Sequence, residues 1–159
     1  MPWATYSYSK KDILKHLADS ARWRKEGSAY GFGIFDLKSK ALCGMIALRI
    51  IDKTSQLGEI GYWVRTDSTG KGIATEASAI LLCFGFQDLN LHSIRLRAAT
   101  DNVASNRVAE KLGFVREGTH RQEEKLVRGW VDLHCFSLLE SEYRKLKPQI
   151  LDFIKSSKK

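Results

Sequence analysis

Cysteine, clustered histidine and long apolar runs are all scarce in this chain, and each scarcity removes a class of protein. Cys43, Cys83 and Cys135 are an odd number, widely spaced, each inside an apolar run, so a disulfide framework has no support and the three read as reduced core thiols. None stands with a histidine at metal-ligand spacing, His92, His120 and His134 match no recognisable role, and no metal is expected. The longest apolar stretches are interrupted or too short to cross a bilayer, and no secretory leader opens the sequence, so the expectation is a cytoplasmic protein without membrane attachment. Repeats, low-complexity segments and linkers are also missing. With 159 residues and 43% apolar content, the chain can bury one sizeable core and little more, so any function must share it.

What is present in excess is positive charge. Twenty-six basic against eighteen acidic residues give a net charge of +8, which favours anionic partners such as phosphates, nucleic acid or an acidic protein surface. A solvated lysine surface accounts for it equally well, with Lys155, Lys158 and Lys159 on a frayed end. The expected division is one domain over 1–147 and a basic C-terminal tail over 148–159.

Ser9 and Asp12 resemble a helix start, and Ile13, Leu14, Leu17, Ala18 and Ala21 follow at helical spacing. This predicts a helix over about 10–25 that ends near Gly27. Segments 29–35 and 41–51 read as a hairpin across the turn-like 36–40, and 57–64 as a third strand that places Glu59, Gly61 and Trp63 on one face. A helix over 73–89, a strand over 92–99 and a helix over 103–112 follow, the last ended by Gly113 in the left-handed conformation that glycine tolerates. Segments 115–121 and 129–139 close the sheet as an antiparallel pair, and Ser141 caps a short helix expected to stop before Pro148. The fold class is α+β with a mostly antiparallel sheet.

Four phrases carry the chemistry: Gly-Glu-Ile-Gly-Tyr-Trp-Val at 58–64, Thr-Gly-Lys-Gly-Ile-Ala-Thr-Glu-Ala at 69–77, Thr-Asp-Asn-Val-Ala-Ser-Asn at 100–106 and Glu-Lys-Leu-Gly-Phe at 110–114. Gly70, Lys71, Gly72 and Ala74 lie between a strand and a helix, where small residues let the backbone approach a ligand and the first helical N–H groups face an anion. Alone, such a glycine pair is a common structural turn. No Gly-Lys-Ser/Thr at P-loop spacing is present, and the surrounding strand-helix pattern is too short for a dinucleotide fold.

Taken together the phrases resemble the GNAT N-acetyltransferase superfamily, in particular its RimJ/RimL-like branch, over about residues 1–145. The resemblance implies the GNAT fold, a mixed twisted sheet flanked by helices, and acetyl-CoA as co-substrate. It implies that Thr69, Gly70, Lys71, Gly72, Ile73, Ala74 and Thr75 form the pyrophosphate loop, although Thr69 replaces the arginine or glutamine usual at its first position. It implies that Tyr62, Trp63, Val64 and Arg65 pair through their backbone with the pantetheine amides, and that Asn102 and Asn106 contact the cofactor. Many members protonate the departing thiolate with a tyrosine directly before the Glu-Lys pair, but Ala109 stands there. Ser105, one turn earlier, is the implied substitute; its alternative is to cap or back-bond within the helix. Asn102 can likewise be simply the helix cap.

Glu59 is the candidate general base, as a strand carboxylate expected beside aromatic residues and partly desolvated; its alternative is a surface ion pair. The expected reaction is direct attack of a neutral amine in a ternary complex, since none of the cysteines has a basic partner in the sequence to activate it. An α-amine with a pKa of about 8 is roughly a tenth neutral at pH 7, a lysine side chain of pKa about 10.4 far less. The branch resemblance points to protein N-termini, especially ribosomal ones, with ribosome association. A small-molecule amine such as a polyamine or antibiotic, and a catalytically lapsed module that binds RNA or protein, remain the alternatives. Relatives carry a strand and helix before the region of Trp3, which this sequence is expected to lack; the exposed sheet edge would encourage pairing into a homodimer.

Overall fold

The computed structural model describes residues 10–155. The region around Trp3, where a strand-helix unit was expected to be missing, lies outside the described residues, as do 156–159. Helix α1 (Lys10–Glu26) ends at Gly27, whose φ of 63° is the expected left-handed stop. Strands β1 (Ala29–Phe35) and β2 (Leu42–Asp52) form the hairpin, its turn held by the Asp36 carboxylate, which accepts the Lys38 and Ser39 amides. Strand β3 (Leu57–Val64), helix α2 (Ile73–Cys83), strand β4 (Ser93–Ala99) and helix α3 (Val103–Lys111) follow, then β5 (Val115–Leu126), β6 (Gly129–Leu139) and α4 (Glu140–Lys155). The helix expected to run to 89 becomes a π-helical segment over Phe84–Asp88.

The six strands lie in the order β1-β2-β3-β4-β6-β5. All neighbours are antiparallel except β3 and β4, which are joined through α2 and run parallel. One sheet face presents Ile46, Leu48, Ile60, Ile94, Leu96, Phe136 and Leu138 to a single core shared with α2, α3 and α4. By strand alternation the other face carries Arg49, Glu59, Trp63, Arg95 and Arg97.

The C-terminal expectation needs correcting. Residues 148–155 are not a tail: α4 continues through Pro148, and Ile150 is 1% exposed. Tyr143, Leu146, Ile150, Phe153 and Ile154 recur on one side of α4 and pack on the core. Burial of that apolar face outweighs the hydrogen bond that proline removes from a helix interior.

Candidate active site

The parallel strands separate. β3 and β4 are paired only from Leu57 with Ser93 to Ile60 with Leu96, yet β3 continues to Val64 and β4 to Ala99. Beyond Ile60 the edge of β3 that faces β4 has no strand partner, while its other edge stays on β2 through Gly44 and Val64. Tyr62, Trp63 and Val64 therefore form one wall of a fork. Gly44 makes the far side of that wall possible, because a Cβ there would stand 2.2 Å from the Trp63 carbonyl oxygen.

Beyond the wall the chain turns into the glycine loop. Arg65 pairs with Asp67 at 2.6 Å, and Thr69 Oγ1 donates to the Thr66 carbonyl at 2.8 Å. Thr69, the departure from the family pattern, thus ties the turn to itself. Lys71 Nζ reaches back to the Asp67 carbonyl at 3.0 Å. Gly70 and Gly72 have φ of 76° and 78°, which only glycine adopts freely, and apart from the adjoining backbone nothing lies within 4 Å of where their Cβ atoms would stand. Gly72 is the N-cap of α2, without a capping side chain, and the first amide to close onto it is that of Glu76. The amides of Ile73, Ala74 and Thr75 are thereby left at the positive end of the helix, the usual setting for an anion.

The facing wall comes from α3. Asn102 is its N-cap, accepting the Ser105 amide at 3.1 Å. Asn106 Nδ2 donates to the carbonyls of Ala99, Thr100 and Asn102, which folds the turn from β4 into α3. Ala109 is fully buried. Two enclosed oxygens, Tyr62 Oη beyond the fork and Asn106 Oδ1 on α3, have no hydrogen-bond partner among the described residues. An uncapped helix start, two left-handed glycines, an unpaired strand edge and two orphaned polar atoms suit an elongated ligand with a phosphate head and amide arm, so these residues fit acetyl-CoA.

Glu59 is on the opposite face of β3 from Tyr62. Its oxygens accept from Arg97 Nε at 2.9 Å, Arg97 Nη2 at 3.0 Å and Arg49 Nη2 at 3.0 Å. Its oxygens thus meet guanidinium groups, where aromatic neighbours were expected. The hydrogen bonds that Arg97 donates to Glu59, with the charges of Glu59 and Glu123, hold its guanidinium above its ordinary pKa. Arg97 also bridges to Glu123, whose second oxygen meets His120 Nδ1 at 2.6 Å. A bulge in β5 between His120 and Glu124, with Gln122 at φ 49° and its amide on Asp132, turns Glu123 toward Arg97.

Sequence spacing missed this network and also missed that Cys135 joins it. Ligand-capable atoms of His120, Glu123 and Cys135 lie within 4.8 Å of one another. Cys135 is half-exposed rather than core, and burial with the nearby Glu123 charge pushes its thiol up, which disfavours it as a nucleophile. Of the other histidines without a recognisable role, His134 shares a hydrogen bond with Thr119.

The acetyltransferase (GNAT) domain family matches residues 1–115. A putative ribosomal N-acetyltransferase of Bacillus subtilis is 35% identical over 122 residues, covering 76% of this chain and 67% of that protein. The ribosomal-protein-serine acetyltransferase of Escherichia coli is 30% identical over 135 residues, covering 85% and 74%. Among solved structures, the spermidine/spermine N-acetyltransferase of Vibrio cholerae superposes with a TM-score of 0.75 at 27% identity, covering 87% of this chain and 79% of that one. With the forked parallel strands and the glycine loop, these matches establish that the chain belongs to the GNAT family of N-acetyltransferases.

Proposed function

We propose that this enzyme moves an acetyl group from acetyl-CoA to a protein N-terminal α-amine, as a RimJ/RimL-like, cytoplasmic ribosomal-protein acetyltransferase. The observation that carries the reading is the fork between β3 and β4, opening directly beside the uncapped, left-handed glycine turn at α2. Acetyl-CoA supplies the acetyl group already activated as a thioester. The amides at 73–75 hold the phosphates, with Gly70 and Gly72 keeping the approach clear and Lys71 adding a screened attraction. The stretch of β3 beyond Ile60, where pairing with β4 has ended, receives the pantetheine arm, Asn106 Oδ1 accepts one of its amide N–H groups, and Ser105 faces the sulfur.

Glu59 lies on the acceptor side of the fork. Because Arg49 and Arg97 engage both its oxygens, the acceptor's proton reaches it through water or once one arginine swings aside. A strand amide near Val64 steadies the oxyanion. The names of the Bacillus subtilis and Escherichia coli relatives favour a ribosomal N-terminus, and an N-terminal α-amine is neutral often enough at pH 7 for so modest a base. The likeness to a spermidine/spermine enzyme keeps a polyamine as the second reading, against which the net charge of +8 weighs.

The test follows thiol release from acetyl-CoA with peptides starting in serine or alanine and, in parallel, with spermidine. Release with the peptides at higher kcat/KM is expected. Faster turnover of spermidine would move the assignment to the second reading. Acetyl-CoA binding by calorimetry with no turnover of either acceptor would point to a binding module.

A further inference from the structure

Tyr62 lies two residues beyond Ile60, the last residue of β3 paired with β4. Its ring packs against the core, and its hydroxyl is enclosed without a hydrogen-bond partner among the described residues. A buried phenol left unsatisfied is unfavourable, so a native chain that keeps one has a use for the hydroxyl. The neighbouring hydroxyl is that of Ser105, which works against the effect of burial on Tyr62. The two groups are thus close, yet no complete hydrogen bond joins them. Ser105 is held from behind, its amide fixed on Asn102. Ala109, the position from which a tyrosine would otherwise serve, is buried and has no hydroxyl to offer.

We propose that Tyr62 is a positioning residue for thiolate departure: its Oη donates to Ser105 Oγ, which directs the Ser105 O–H at the CoA sulfur. The proposal rests on the acetyl-CoA reading above. A serine hydroxyl has one proton to give and can accept from another donor, and a donor behind it both orients and polarises it. As the amine nitrogen bonds to the acetyl carbon and the C–S bond breaks, the electron pair goes to sulfur. Neither hydroxyl loses its proton. The thiolate leaves hydrogen-bonded and is protonated by solvent. Burial pushes the Tyr62 phenol above its ordinary value, so it stays a donor throughout the range in which a thiol of pKa about 8.5 ionises. For the same reason it is a poor acid toward that thiolate, and hydrogen bonding rather than proton transfer is its contribution.

The test needs no acceptor. Affinities of CoA and of desulfo-CoA, which lacks the sulfur, are measured by calorimetry from pH 7 to 10. Wild-type protein should gain roughly tenfold in affinity for CoA relative to desulfo-CoA as the thiol ionises, the scale of a hydrogen bond to a charged group. Tyr62→Phe and Ser105→Ala should each reduce that gain to about twofold or less, and the double variant no further, because the two hydroxyls act in series. Tyr62→Phe keeps the ring and the backbone edge and removes one hydroxyl, an unchanged melting midpoint verifies that the fold survives, and the ratio of the two affinities cancels any effect on the rest of the cofactor. A full gain in Tyr62→Phe, no gain in the wild type, or additive losses in the double variant would overturn the proposal. Failure of the wild type to bind either nucleotide would instead defeat the acetyl-CoA reading, and this inference with it.

Discussion

Gly72 shapes the glycine turn and Gly44 backs the wall of the fork, and they are glycines for different reasons. Gly72 has a left-handed φ and open space around its missing Cβ, so Gly72→Val strains the backbone by about 1–2 kcal/mol without a clash and places a side chain where a phosphate would approach. The expected outcome is a protein that melts a few degrees lower but binds acetyl-CoA at least tenfold more weakly by calorimetry. Gly44→Ala works the other way: the new methyl meets the Trp63 carbonyl oxygen, a backbone atom that cannot rotate aside. Its cost, about 1–3 kcal/mol by urea unfolding, comes from overpacking, and any loss of affinity follows from displacement of the fork's wall. Glu59→Gln tests the acceptor side. It should lower kcat about a hundredfold or more near neutral pH and leave acetyl-CoA affinity unchanged; an unaltered pH–rate profile would remove Glu59 from the base role. The glycine loop was legible because left-handed turns and helix starts are local events. Arg49 and Arg97 as partners of Glu59 were not, since a cross-strand neighbour depends on register, and a parallel register is set by the whole crossover.

At the scale of elements, the least legible segment was α4. Proline is a strong stop signal by itself, but the periodic burial of Tyr143, Leu146, Ile150 and Ile154 continues past Pro148, and tertiary packing overrode local propensity. Tyr143 is the hinge of that packing. It stacks on Phe86 with ring centroids 4.6 Å apart and accepts from Gln87 Nε2, which joins α4 to the π-helical segment after α2. Burial pushes the Tyr143 phenol well above its ordinary value, as it does for Tyr62. The folded state therefore holds these protons more tightly than the unfolded chain, whose phenols ionise near pH 10. Their contribution is fully present below about pH 10 and declines as pH rises toward the folded values. Tyr143→Phe keeps the stacked ring and removes the titration. In urea unfolding at pH 9 to 11.5, the wild type should lose stability with rising pH and the variant should lose it less steeply; parallel slopes would show that Tyr143 is not a source of the alkaline loss.

Across the whole molecule, the family signature and the sequence phrases concentrate on one side of the fork, while the other side is assembled from distant parts of the chain. Arg49 from β2, Glu59 from β3, Arg97 from β4 and Glu123 with His120 from the β5 bulge meet on one sheet face. No local pattern announces such a convergence, which is why the left-handed glycine turn and the helix starts beside the fork were legible in sequence and this charged network was not. The charge of that side nevertheless makes a prediction. Arg49, Arg95 and Arg97 surround Glu59, and the protein as a whole carries +8, so the field at the entrance attracts anions and repels polycations. A peptide with acidic residues shortly after its N-terminus should be captured faster than the same peptide with lysines there, with the difference in kcat/KM rather than in kcat. The Debye length is about 30 Å at 0.01 M salt and about 8 Å at 0.15 M, so the preference should be several-fold at low salt and shrink toward unity as salt is raised. Spermidine should show the opposite trend, its kcat/KM rising or holding level with salt. A lysine-rich peptide or spermidine that is favoured at low salt would mean that the local carboxylates Glu59 and Glu123 dominate the entrance, and would favour a cationic acceptor.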